Sequence, residues 1–585
     1  MNNPLHILGK DAALDDSIHT MQQKLQQLGF SIEEHSWLNP IPNVWSVHIR
    51  DQDCPLLFTN GKGASKQAAL ASALGEFFER LNCNYFFADF YLGEEIAHAE
   101  FVHYPNEKWF AIEHNQVTWG DNLLSPELWR YYDPDQTLKP INLVDTNSGN
   151  QSRGICALPY TCQSDQKDYY FPVNIIANLY VSNGMSAGNS VAEARVQALS
   201  EILERWVKFK VIAESICLPD IPNSVLARYP KIMEGITALK AEGYSILLKD
   251  ASLGGKYPVI NVTLLNSYDQ GCFASFGAHP CFEVALERTL TELLQGRSLN
   301  ALTGFSQASF DQEEISASHN LETHFIDSSG VIAWKFLSKN SDYKFVDWNF
   351  SGSTQQEFEH LSATLHQEGK QIYISDYQHL GVYGCRIIVP DCSEIYPPDD
   401  LIWDNNNAAM TYRVAILSLP RLNQQQLANL LQQLNDEGFD EQHPVAALVG
   451  LAPDANSKWA TLRIGELKTR LALATSDQNA ILQGCEWIQY NGQLSQQETQ
   501  LYLCIETLLM LDNPSLYLEN LESLYGQSAV IQAQKWLSGQ ELFADLVMPT
   551  LSLDHCEMHQ KLLTAYQKLQ VAKTNAYISQ PDNKA

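Results

Sequence analysis

Three times along this chain an extended apolar run leads through a glycine into an amphipathic helix that closes on a similar polar signature. The first unit has Asn60-Gly61-Lys62-Gly63 before a helix over 65–81 that ends Glu76-Phe-Phe-Glu79-Arg80. The second has Ser182-Asn-Gly184-Met-Ser-Ala-Gly188 before a helix ending Glu201-Ile-Leu-Glu204-Arg205, and the third has Gly277-Ala-His-Pro280 before one ending Glu292-Leu-Leu-Gln295. From the turn glycine to the first glutamate of the signature the spacing is 15 residues (61 to 76), 17 (184 to 201) and 15 (277 to 292). Such a repeat calls for three strand-turn-helix units, each presenting a polar stripe.

On the middle helix, with 100° per residue and Glu201 at zero, Glu204 falls at about −60°, Gln197 at about −40°, Glu193 at about −80° and Arg205 at about +40°. Acids stacked in this way repel unless a positive group sits among them, either the arginine or a bound cation. Magnesium accepts such oxygens and shares them with phosphates, and the amides of a glycine-rich turn at a helix start face anions. In the first unit Ser72, Glu76, Glu79 and Arg80 span about 100°, while the remaining arc is apolar. In the third, glutamine replaces the second glutamate and Arg288 stands one turn before Glu292. A lone E-x-x-E is ordinarily a solvated face, whereas three after matched turns point to a shared cleft in which acids hold cations and arginines hold phosphate oxygens.

The formal charge of −30 argues against nonspecific binding to nucleic acid or an anionic membrane and favours a basic partner. Twelve cysteines lie scattered without a C-x-x-C pair and read as reduced thiols. The start lacks a basic segment followed by a long apolar one, and no run reaches membrane-spanning length, so the expected location is cytoplasmic. At 585 residues the chain exceeds one core, and the composition changes near residue 400, which divides it into 1–400 and 401–585.

In chain order, a helix is expected over 12–28 with Gly29 as its stop, and Lys10 before it either reaches a phosphate or is simply solvated. Residues 44–50 alternate as a strand with 55–59 as hairpin partner, 169–180 read as a strand feeding the second unit, and 257–265 with 272–276 form another hairpin. A further strand covers 382–389, and beyond it helical periodicity runs over 423–437, 457–474, 479–490, 496–511, 514–525, 528–537 and 555–575. This is a tetratricopeptide-like array that packs on the first domain, forms a dimer, or holds a basic protein partner. G-x-x-x-x-G-K-[ST], G-x-G-x-x-G and H-E-x-x-H are absent, and His279 is either a cleft residue or a neutral histidine before Pro280.

The set Ser72-x-x-x-Glu76-x-x-Glu79-Arg80, Ser182 to Gly188 through Glu193 to Glu201-x-x-Glu204-Arg205, and Arg288-x-x-x-Glu292-x-x-Gln295 resembles the YcaO family over the whole chain, and most nearly its founding bacterial branch. The resemblance implies an α/β (α+β) ATP-binding domain followed by the all-α domain, with ATP and Mg2+ as cofactors. It implies Glu76, Glu79, Glu201 and Glu204 as magnesium ligands, with Glu193 and Glu292 assisting. Arg80, Ser186, Asn189, Arg205 and Arg288 would contact phosphates or ribose, and Lys10 and Ser17 would approach from the N-terminal helix.

The implied activity is activation of a peptide-backbone amide, whose oxygen takes the γ-phosphoryl group after a nucleophile adds. In the founding branch this is linked, as an accessory factor, to β-methylthiolation of an aspartate in a small-subunit ribosomal protein. Expected partners are therefore that basic ribosomal protein or a methylthiotransferase, and a second copy in a homodimer. Azoline-forming members end in P-x-P-x-P, whereas this chain ends Ser579-Gln-Pro-Asp-Asn-Lys-Ala585, which argues against cyclodehydration of peptide cysteine or serine. The alternative is a nucleotide-binding scaffold without catalysis that docks a basic protein.

Overall fold

The N-terminal helix α1 (Leu14–Gln27) ends at Gly29, whose φ of +84° suits the left-handed stop expected there. The computed structural model describes residues 6–112, 119–120, 122–491, 494–546, 549 and 551–579, so the expectation for the tail at 580–585 falls outside the described residues. Alternation of side chains then builds an antiparallel sheet of β1 (Ile32–Ile41), β2 (Val44–Asp51) and β3 (Phe58–Gly63). The partner of β2 thus begins three residues later than expected. Pro55 sits second in a turn closed by the Leu57 N–H on the Cys54 carbonyl at 2.9 Å, and the strand follows it.

Gly61 and Gly63 accordingly lie in a strand rather than a turn. Helix α2 (Lys66–Asn82), capped by the Ser65 hydroxyl, crosses β3 so closely that a Cβ on Gly61 would stand 2.0 Å from the Ala69 carbonyl oxygen. With both glycines under the helix, strand alternation turns Lys62 to the opposite face.

The central sheet runs β4 (Lys108–Phe110), β5 (Ile155–Cys162), β11 (Tyr373–Tyr377), β12 (Tyr383–Ile388), β7 (Met185–Gly188), with β6 (Asp168–Pro172) on the other side of β5. The expected strand over 169–180 stops at Pro172, and 173–180 coil into helical turns. Asn174 and Asn178, four apart, share a face there and donate to Asn405 at 2.9 Å and Asn406 at 3.1 Å. A third sheet pairs β8 (Ser245–Asp250), β9 (Val259–Leu265) and β10 (Cys272–Ala278). Helix α3 (Val191–Ala213) follows β7, α4 (Phe282–Leu293) follows β10, and α5 (Thr354–Gln367) packs on α3.

The C-terminal region is helical: α6 (Gln424–Glu437), α7 (Ile464–Thr475), α8 (Gln478–Asn491), α9 (Gln496–Met510), α10 (Leu518–Tyr525), α11 (Gln527–Leu537) and α12 (Glu557–Ile578). Sequence neighbours pack in turn, α7 on α8, α8 on α9, and α10 on α11. Helix α12 returns to the first half: the Tyr566 ring meets Phe87 at 4.8 Å, and Lys573 donates to Asn84 Oδ1 at 2.6 Å and the His103 carbonyl at 2.8 Å. Phe77 and Phe78 of α2 therefore share one hydrophobic core with Leu562 and Tyr566. All twelve cysteines are free thiols. Among the described residues no helix is long and apolar enough to cross a membrane.

Candidate functional site

Helices α2, α3 and α4 turn their polar stripes into one cleft of 1330 Å³. Lys10, Ser17, Glu76, Glu79, Arg80, Ser186, Asn189, Glu193, Glu201, Glu204, Arg205, Arg288 and Glu292, drawn from four separate stretches of sequence, all line it.

The N-terminal segment forms one wall. Lys10 reaches Glu193 Oε1 at 3.1 Å, the Asp11 N–H donates to Glu193 Oε2 at 2.9 Å, and Ser17 Oγ donates to Asn189 Oδ1 at 2.8 Å. Burial alone would raise the Glu193 carboxyl, but the Lys10 charge, the Asp11 amide and the Asn189 side chain hold it below the ordinary value. Asp11 in turn accepts from Thr354 Oγ1 at 2.9 Å and from the Ser190 hydroxyl, the first residue of α5 and the cap of α3. The segment carrying Lys10 is thereby fastened to two helix starts.

The other walls carry the acids. On α2, Arg80 grips Glu76 Oε1 at 2.6 and 3.0 Å, and on α3, Arg205 pairs with Glu201 and donates to Asn183 Oδ1 at 3.1 Å. Arg288 of α4 donates to Gln197 across the cleft. Lys62 pairs with Glu292 and donates to Gln295 Oε1 at 2.9 Å, while buried Lys208 donates to the His324 carbonyl at 2.8 Å.

Lys62 and Lys208 are site residues that sequence reasoning missed. Lys208, one turn after Glu204, falls on the same wedge of the helical wheel, whereas Lys62 faces the cleft because Gly61 and Gly63 are strand residues, which the local sequence does not mark.

Electrostatically the centre favours added positive charge. Burial, then the charges of Glu201 and Glu76, push Glu79 well above the usual carboxylate range. Burial pushes Glu204 up to about 7, with Glu292 adding to it, and burial raises Glu201. Glu292 is the exception: burial works upward, but the charge and hydrogen bond of Lys62, joined by the charges of Lys208 and Arg205, hold it below the ordinary value.

Among the described residues no three His, Cys, Asp or Glu side chains form a ready metal cage, and lysine and arginine engage several of the acids. The chemistry of the set nonetheless fits a hard cation carrying phosphates: carboxylate oxygens whose charge is costly to bury, interleaved with guanidinium and ammonium donors. His279 is not part of this lining. It is 1% exposed, its Nδ1 accepts the Cys281 N–H at 3.0 Å, and burial followed by the Arg288 charge pushes it down to about 2, so it is the neutral histidine of the two expectations.

A family profile described as YcaO cyclodehydratase, ATP- and Mg2+-binding, matches residues 60–393, and a YcaO cyclodehydratase C-terminal domain profile matches 409–575. The ribosomal protein S12 methylthiotransferase accessory factor YcaO of Escherichia coli K12 is 55% identical over 97% of this chain and 98% of its own. An uncharacterized protein of Haemophilus influenzae is 53% identical over 98% of this chain and 99% of its own. Among solved structures, YcaO from Methanopyrus kandleri bound with AMPPCP and Mg2+ has a TM-score of 0.40 at 17% identity, over 67% of this chain and 95% of that one, a likeness too loose to bear on the site.

Proposed function

This chain belongs to the YcaO family and has ATP and Mg2+ as its cofactors, and on that premise we propose that it activates a peptide-backbone amide by phosphorylation, in service of ribosomal protein methylthiolation. After a nucleophile adds to the amide carbon, the amide oxygen takes the γ-phosphoryl group and ADP departs. The C–O bond then breaks, and that oxygen leaves in phosphate. Bound magnesium would supply neutralisation of the triphosphate and fix its orientation.

In this reading Glu76, Glu79, Glu201 and Glu204 hold the metal, and Glu193 and Glu292 assist. Arg80, Arg205 and Arg288 neutralise phosphate oxygens, while Lys10, Ser17, Ser186 and Asn189 orient the nucleotide. The observation that carries the reading is the convergence of these stripes on one cleft with acids and cations interleaved. The relative's name makes ribosomal protein S12 the proposed partner, and the charge of −30 suits a basic one. The protein acts in the cytoplasm as a homodimer, with its tetratricopeptide-like half available to partners.

Phosphate release from ATP, measured with and without S12 and with and without magnesium, tests this. Magnesium-dependent release that rises with S12 is expected. Nucleotide binding with no turnover under either condition would favour the scaffold reading.

A further inference from the structure

From Leu471 to Gln534 the sequence holds no lysine, arginine or histidine, but seven acids. Over the same stretch the fold leaves large apolar side chains uncovered: Met510 is 72% exposed, Leu516 74% and Leu524 71%, and Tyr517 and Ile531 are near half. Helix α10 makes the point most clearly. Its Leu521 faces the core at 3% exposure, yet Leu518 and Leu524, each three residues away, face out. A helix with apolar residues on its outer as well as its inner side is normally covered on both. Leu516 and Tyr517, in the turn that leads into that helix, are exposed as well.

The charge decides what can cover it. A second copy packed isologously would set the acids of this stretch, among them the exposed Asp512 and Glu519, against a surface that carries only acids, with no cation in the stretch to pair them. Nucleic acid and anionic lipid are repelled on the same ground. We propose that the outer face formed by the end of α9, the turn after it and α10 docks a basic amphipathic helix of a partner protein, whose apolar side covers Met510, Leu516, Tyr517 and Leu524 while its lysines and arginines meet Asp512 and Glu519. This surface is independent of the ATP reading, so either stands if the other fails.

The test uses the full chain and a fluorescein-labelled amphipathic helical peptide of leucine and lysine, followed by anisotropy. Saturable binding is expected, weakened about tenfold or more by Leu516→Ser/Leu524→Ser, as removal of two central apolar anchors does, and also weakened by Asp512→Lys/Glu519→Lys. Phe310→Ser, at an exposed aromatic elsewhere, serves as control and should leave it unchanged. Because all these side chains are exposed, the variants should fold, and a melting curve checks that they do. Equal binding by Leu516→Ser/Leu524→Ser and wild type overturns the proposal. So does a wild-type dimer that the same pair of substitutions splits into monomers, since the face would then join copies of this chain.

Discussion

Glu201 of α3 pairs with Arg205 four residues on, and Glu466 of α7 pairs with Arg470 at the same spacing, yet the two pairs sit in opposite surroundings. Arg470 is 2% exposed; Asp545 takes its two terminal nitrogens at 2.6 and 2.7 Å, and the Tyr502 hydroxyl donates to Glu466 at 3.0 Å. Lys458 completes that cluster, reaching Glu466 at 3.0 Å and Glu498 at 2.7 Å. Around Arg205, by contrast, Glu204 and Glu79 face a cleft and are pushed upward. A Glu–Arg pair one turn apart is therefore no sign of function by itself. What distinguishes the cleft is that burial pushes two of its acids, Glu79 and Glu204, upward, whereas Asp545 and Glu498 beside Arg470 and Lys458 are each held by a cation.

The sharpest way to break this comparison is to remove each arginine. Arg470→Met leaves the buried Glu466 without its guanidinium and should cost about 3–5 kcal/mol, read as a lowered urea midpoint. Arg205→Met should move that midpoint far less while abolishing nucleotide binding. Similar midpoint shifts would show that both clusters are structural.

The pH dependence separates the two clusters next. Glu204 has a folded value of about 7 against 4.5 unfolded, so its proton is held more tightly in the folded state, and stability falls as pH rises from 4.5 to about 7. For Glu498 burial works upward, but Lys458 and Ser495 win and hold it down to about 2, so its contribution is present above 4.5 and lost as pH falls toward 2. Glu204→Gln should flatten the upper limb of stability against pH, and Glu498→Gln the lower. Urea midpoints across pH show whether the limbs respond separately. A smaller effect is expected from Asp11→Asn, which loosens the wall carrying Lys10: ATP affinity should fall about tenfold or less with the melting curve unchanged, and Thr354→Val should act in the same direction. A lowered melting temperature in Asp11→Asn would make that contact structural instead.

Much of this was legible beforehand because helical periodicity is local. The stripes of α2, α3 and α4 could be computed from residue spacing, and they meet where the repeat implied. The glycines misled. Gly61 and Gly277 read as turns, but a Cβ on Gly277 would lie 2.4 Å from Thr289 Oγ1, so each marks a strand crossed by its own helix, a tertiary contact that no local pattern encodes. Residues 173–180 misled in the same way, since a continuous apolar run fits strand and helix alike, and the four-residue spacing of Asn174 and Asn178 was the discriminating sign. Nothing local marks Asp11, because its partners, Ser190 and Thr354, are distant in the chain.

The most direct test of the cleft is calorimetric titration of ATP, with and without magnesium, into wild type and Glu204→Gln. The account predicts binding by wild type only when magnesium is present and loss of most of that affinity in the variant. Equal binding without magnesium, or by the variant, would contradict it and leave the three stripes as structural faces.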